Sequence, residues 1–133
     1  MGYNPKLWGS EGWYFIHYVA LNYPLNPTEK DKKSYFQFFA SLEHTLPCEG
    51  CAFNFGEKMK KYPPKLENRE SLFNWTVDMH NSVNKENGKP EISYEKAFEE
   101  ISKRKDNQNL KESLAIGSFV SFLFVFTFLV FRE

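Results

Sequence analysis

Proline, asparagine and glycine punctuation cuts the stretch from Leu7 to about Arg104 into segments of helical length, and none of them alternates as a strand would. Ser10 is the expected N-cap of a first helix reaching about Asn22. Along it Trp13, Ile16, His17, Ala20 and Leu21 recur at spacings of three and four, which places them on one face. Tyr23-Pro24-Leu25-Asn26-Pro27 breaks that helix. Thr28 starts a second, to about His44, with Tyr35, Phe38, Phe39 and Leu42 inward. Thr45-Leu46-Pro47 reads as cap and first turn of a third, ending near Lys61 before Tyr62-Pro63-Pro64. A fourth spans about Arg69 to Glu86 and carries Leu72, Trp75, Met79, His80 and Val83. Asn87-Gly88-Lys89-Pro90 ends it, and Ser93 caps a short fifth helix to about Lys103. Short loops between amphipathic helices imply an all-α fold: a four-helix bundle plus a short fifth helix.

The C-terminus has a different character. Residues 113–131 form a run of 19 residues without a charge, holding six of the fourteen phenylalanines. As a helix the run would rise roughly 28 Å, close to the thickness of bilayer hydrocarbon. A domain this small could hardly bury a helix that is apolar on every face. The expectation is therefore a C-terminal transmembrane helix acting as a tail anchor, joined by a polar linker at 105–112 to a domain at 1–104. Lys103, Arg104, Lys105 and Lys111 precede the run and Arg132 follows it, which favours the main domain on the cytosolic side. Met1 to Trp8 lacks the apolar stretch of a secretory signal. Formal charges balance, so no field draws nucleic acid.

The only two cysteines are Cys48 and Cys51, in Pro47-Cys48-Glu49-Gly50-Cys51. Two residues between thiols at a helix start is the spacing of a redox disulfide, and the positive end of the helix dipole favours the thiolate. One thiol can exchange with a partner while the other resolves the mixed disulfide. Two buried, unpaired thiols are the plainer alternative. A zinc site would need two further ligands from His17, His44 and His80, which are scattered along the chain.

A second constellation is His80-Asn81-Ser82-Val83-Asn84, with His80 and Asn84 one turn apart and Asn87 extending the side. It suits a ligand with flat rings and polar edges. It equally suits a hydrogen-bonded core histidine before a fraying helix end. Trp13 and His17 form a third group, read either as packing or as ligand contacts. Gly9, one turn earlier, would permit close approach of a ligand or is simply a glycine before the cap.

Together, in this order, the three groups resemble the Erv/ALR family of FAD-linked sulfhydryl oxidases, particularly its compact viral members. The resemblance runs from Leu7 to about Lys103. It implies a helical bundle around FAD that turns two thiols and dioxygen into a disulfide and hydrogen peroxide. It further implies that Cys48 is the outer cysteine, met by substrate, and Cys51 the inner one, facing the flavin. Gly9, Trp13, His17, His80, Asn81, Val83 and Asn84 would contact the cofactor. Lys85 and Lys89 would serve its phosphates or ribose, and Tyr18, Phe55 and Tyr94 the pocket wall.

The implied partners are thiol-containing proteins or a small redox carrier, dioxygen, and a second copy in a homodimer. The expected location is a membrane, reached through the C-terminal anchor, and a host membrane or a virion if the chain is viral. Two departures stand out. Val77 and Tyr94 occupy positions where many members carry a structural cysteine pair, and there is no second Cys-x-x-Cys to serve as a shuttle. The competing readings are a thioredoxin-like, flavin-free thiol-disulfide exchange protein at the membrane, which needs strands around the cysteines, and a non-catalytic membrane adaptor.

Overall fold

The fold is taken from a computed structural model that describes the backbone of residues 2–130 and the side chains of residues 2–113 and 115. Five helices follow one another: α1 (Pro5–Leu21), α2 (Glu29–Thr45), α3 (Glu49–Lys61), α4 (Arg69–Glu86) and α5 (Tyr94–Val130). No strand occurs among the described residues. The thioredoxin-like alternative therefore lacks the strands it requires.

Local chemistry sets the boundaries. Helix α1 starts at Pro5, earlier than Ser10, because Asn4 caps it by accepting the Lys6 N–H at 3.0 Å and Pro5 has no N–H to satisfy. Thr28 caps α2 in a capping box: its Oγ1 accepts the Asp31 N–H at 3.2 Å, and Asp31 Oδ2 accepts the Thr28 N–H at 2.9 Å. Helix α3 begins at Glu49, with Cys48 as its cap in place of the expected Thr45. Asn68 caps α4 by accepting the Ser71 N–H at 2.9 Å. Gly88, with φ of 64°, reverses the chain after α4, a conformation that suits glycine.

The chain divides into two compact units, Met1–Tyr94 and a second starting at Glu95. In the first, α1 packs on α4 and α2 on α3. Tyr23, Phe39, Leu72, Thr76 and Val77 are fully buried at its centre. The Phe39 ring meets Trp75 edge-on at 5.0 Å. Loop backbone is tied to this core by side chains: Tyr23 Oη donates to Leu66 O at 3.0 Å, Arg69 Nε to Tyr23 O at 2.6 Å, and Trp75 Nε1 to Tyr62 O at 2.8 Å. These bonds hold the turns that aim α3 and α4.

The second unit corrects the expected short fifth helix and linker. Residues 105–112 are helical and continue α5 without a break. The stretch is polar but has neither proline nor glycine, and exposed pairs one turn apart support it. Lys103 Nζ meets Glu99 Oε1 at 2.6 Å, and Gln108 Nε2 donates to Glu112 Oε1 at 2.9 Å. Among the described residues no helix is long and apolar enough to cross a membrane. The expected anchor at 113–131 lies outside the described residues, apart from its helical backbone to Val130 and the side chains of Ser113 and Ala115.

Candidate active site

Cys48 and Cys51 form a disulfide at the start of α3. Cys48 Sγ also accepts the Cys51 N–H at 3.3 Å, so the sulfur performs the capping that a serine hydroxyl otherwise would. Once the bond is reduced, the same helix start favours negative charge on sulfur. The N-terminal residues buttress this loop. The Tyr3 N–H donates to Pro47 O at 2.6 Å. A Cβ on Gly2 would lie 2.9 Å from Pro47 O and 3.1 Å from Cys48 Cα, so the close approach depends on glycine.

The disulfide forms part of the wall of a cavity of about 370 Å³ between α1, α3 and α4. Gly9 and Trp13 reach it from α1, Phe55 from α3 and Val83 from α4. At Gly9 a Cβ would find no heavy atom within 4 Å, so the missing side chain leaves open space. Glu86 stands at the rim, where Asn54 Nδ2 donates to it at 2.8 Å and Lys58 pairs with it. The Lys58 hydrogen bond and then that of Asn54 pull the Glu86 carboxyl below its usual range. A second, more open groove of about 830 Å³ runs past Gly2, Pro47, Glu49 and Phe53, alongside the same cysteine loop.

Beyond Trp13 the site becomes polar but buried. The Trp13 and His80 rings stack 4.4 Å apart and 9° from parallel. His17 Nε2 lies 3.2 Å from His80 Nδ1, and His17 Nδ1 lies 2.9 Å from Thr76 Oγ1. Burial, and then the neighbouring His80, push His17 down to about 4; burial and then the Lys89 charge do the same to His80. Both rings are therefore neutral near pH 7. Among the described residues no cluster of His, Cys, Asp or Glu could hold a metal.

The structure thus brings Cys48, Cys51, Gly9, Trp13, Phe55 and Val83 around one cavity, with His17 and His80 beside Trp13. The remaining expected residues take other positions. Asn81 uses its amide on Ile92, donating to its carbonyl at 2.8 Å and accepting its N–H at 2.9 Å. Tyr94 Oη donates to Asp78 Oδ1 at 2.7 Å. Asn84 is half-buried, and its carbonyl accepts the Lys89 N–H at 2.8 Å. Lys85, Lys89 and Tyr18 are exposed.

Sequence reasoning passed over Gly12, against which Trp8 lies, and the Asn54–Glu86 pair, for which no local pattern exists. It also passed over Thr76. The available signal was a lone hydroxyl four residues before His80 in the otherwise apolar series Leu72, Phe73, Val77 and Met79.

Residues 10–108 match the model of the Erv1 / Alr family. The chain is 47% identical over 103 residues to the probable FAD-linked sulfhydryl oxidase R368 of Acanthamoeba polyphaga mimivirus, covering 75% of this chain and 72% of that protein. It is 37% identical over 84 residues to the mitochondrial FAD-linked sulfhydryl oxidase ERV1 of Saccharomyces cerevisiae, spanning 63% of this chain but only 44% of that relative. The crystal structure of the FAD binding domain of Erv1 from Saccharomyces cerevisiae superposes with a TM-score of 0.68 at 33% identity, over 70% of this chain and 89% of that one.

Proposed function

The chain belongs to the Erv1/Alr family, and from that premise we propose that it is an FAD-linked sulfhydryl oxidase, making disulfides from protein thiols and hydrogen peroxide from dioxygen. One observation carries this reading: the Cys48–Cys51 disulfide stands in the wall of a cavity that Gly9 leaves open and aromatic rings border. At about 370 Å³ the cavity is in the range of small-molecule sites. Its largely apolar lining, with Trp8, Trp13 and Phe55, suits a flavin ring system, and the His80 ring stacked on Trp13 is placed to serve the rest of a dinucleotide. FAD, when bound, supplies a two-electron sink that dioxygen can empty.

The protein's own residues perform the sulfur chemistry. A substrate thiolate attacks Cys48 Sγ; the Cys48–Cys51 bond breaks and Cys51 leaves as a thiolate, favoured by the start of α3. A second substrate thiolate attacks the mixed disulfide, releasing the substrate disulfide and the Cys48 sulfur. The Cys48–Cys51 dithiol then returns to the disulfide, giving up two protons and an electron pair that bound FAD would accept, with Cys51 as the member of the pair nearer the cofactor. The groove beside Pro47 and Glu49 gives substrates a route to this loop without a shuttle arm of the same chain.

The sites are assigned on the same reading. Gly9, Trp13, His17, Phe55, His80, Val83 and Asn84 surround the cofactor, Lys85 and Lys89 lie nearest its charged part, and Asn81 and Tyr94 brace the segment beside it. Exposed Phe15 on α1 and Phe36 on α2 offer apolar surface for a homodimer. The uncharged run at 113–131, entered by the helical backbone of α5, acts as a membrane-spanning segment.

The test is the visible spectrum of the full chain together with thiol-driven oxygen uptake. A flavin spectrum is expected, and colourless, folded protein that takes up no FAD overturns the reading. Cys51→Ser should keep the colour and lose oxygen consumption, and retained turnover contradicts its role.

A further inference from the structure

Thr76 ends a chain of hydrogen bonds whose directions are fixed by counting protons. It is fully buried in α4, and its Oγ1 donates to Phe73 O at 2.7 Å. A hydroxyl has one proton, so that donor is spent. The oxygen can then only accept from His17 Nδ1, 2.9 Å away, and His17 must carry its proton on Nδ1. A neutral imidazole has one proton, which leaves His17 Nε2 bare. Its neighbour at 3.2 Å, His80 Nδ1, must therefore be the donor. By the same count His80 Nε2 has no proton. Trp13 covers one face of the His80 ring, and the bare nitrogen lies on the ring edge.

We infer that Thr76, acting through His17, locks His80 in the tautomer protonated on Nδ1, so that the free edge of His80 accepts a hydrogen bond from a hydroxyl or N–H of the bound dinucleotide and turns phosphate away. Thr76 is thus a positioning residue that needs no contact with the ligand. Packing of α1 on α4 brings the relay together, since Thr76 and His80 lie one turn apart on α4 and His17 sits opposite on α1. The bare lone pair repels an anion, whereas the Lys89 charge, which acts on the same ring, attracts one. The two residues therefore divide the ligand: a neutral donor at His80, phosphate toward Lys89. The identity of the ligand rests on the FAD reading; the tautomers rest on the hydrogen-bond geometry of two rings that burial keeps neutral.

Nitrogen NMR of the labelled full chain, before and after FAD addition, reads the tautomers directly. Both His17 and His80 should show a protonated Nδ1 and a bare Nε2. Thr76→Val, close in shape but without the hydroxyl, should release the lock and weaken FAD binding about tenfold, the loss of roughly one buried hydrogen bond. Thr76→Ser should keep both the tautomers and the affinity, a rescue that a purely packing role does not give. A His80 protonated on Nε2 in the unaltered chain overturns the relay, whether or not any variant folds. Unchanged FAD affinity in a folded Thr76→Val protein overturns its part in binding. The expected tautomers in a chain that takes up no FAD would sink the oxidase reading and leave the relay standing.

Discussion

Mild acid should destabilise this protein through its buried histidines. His17 is 5% exposed, and its pKa falls from 6.5 to about 4, first by burial and then through His80. The folded-state pKa is depressed, so the unfolded chain binds a proton that the folded chain refuses. Stability is complete above the unfolded value, 6.5, and is lost as pH falls through the window down to about 4. At about pH 5 the unfolded ring is almost wholly protonated and the folded ring hardly at all, a loss of about 2 kcal/mol, rising to about 3 kcal/mol below pH 4. His80 has the same direction and size of shift, but the two rings share a hydrogen bond, so their contributions are not summed. Urea unfolding followed by tryptophan fluorescence at about pH 7.5 and pH 5 measures this. With a slope of about 2 kcal/mol per molar, the midpoint should drop by about 1 M. The carboxyls of Glu86 and Glu99, held below their ordinary 4.5, and that of Asp31, held below its ordinary 3.8, contribute mainly below this window. His17→Phe should flatten the pH dependence. Equal midpoints at the two pH values, or an undiminished drop in His17→Phe, would refute the reasoning.

Gly9→Ala should separate stability from ligand binding: nothing crowds a Cβ there, and alanine favours a helix interior by about 1 kcal/mol. The expected outcome is a higher unfolding midpoint without flavin and a weaker FAD dissociation constant by titration. Asn81→Ala removes both bonds to the Ile92 backbone and should cost about 1–3 kcal/mol in denaturant unfolding. Gly2→Val would press a side chain against Pro47 O and Cys48 Cα, so turnover of thiol substrates should fall while flavin content, read from the spectrum, stays the same.

What was legible in the sequence was what local pattern controls. Helix α4 appears at Arg69–Glu86 as punctuation and spacing require, and Thr28 caps α2. The cysteine pair announces itself by being the only one. Boundaries failed where a weaker signal competed with a better one. Ser10 looked like a cap, but Asn4 followed by Pro5 is a stronger start. Polarity at 105–112 resembled a linker, yet without proline or glycine nothing there stops a helix. The Asn54–Glu86 and His17–Thr76 pairs join positions far apart in the chain, and no periodicity within one segment carries that information.

Val77 and Tyr94, where the family resemblance leads to the expectation of a structural cysteine pair, show how a helical domain can do without one. Val77 is fully buried, so apolar packing occupies one end of the absent link. The other end, Tyr94, reaches back to Asp78, the residue next to Val77, through its hydroxyl. Three residues further along α4, Asn81 clamps Ile92 with two bonds. The chain returning after Gly88 is therefore fastened to the same turns of α4 that a disulfide would have fixed, by hydrogen bonds that a thiol cannot reduce. This separation matters for an enzyme whose substrates are thiols. With Cys48 and Cys51 as the sole cysteines, every disulfide exchange in the chain is confined to the reacting pair, and no structural bond is exposed to the same chemistry. Tyr94→Phe tests the argument: unfolding in urea should become easier by about 1 kcal/mol, equally with and without a thiol reductant. A loss seen only under reducing conditions would show that the cysteine pair, and not the Tyr94–Asp78 bond, holds this segment.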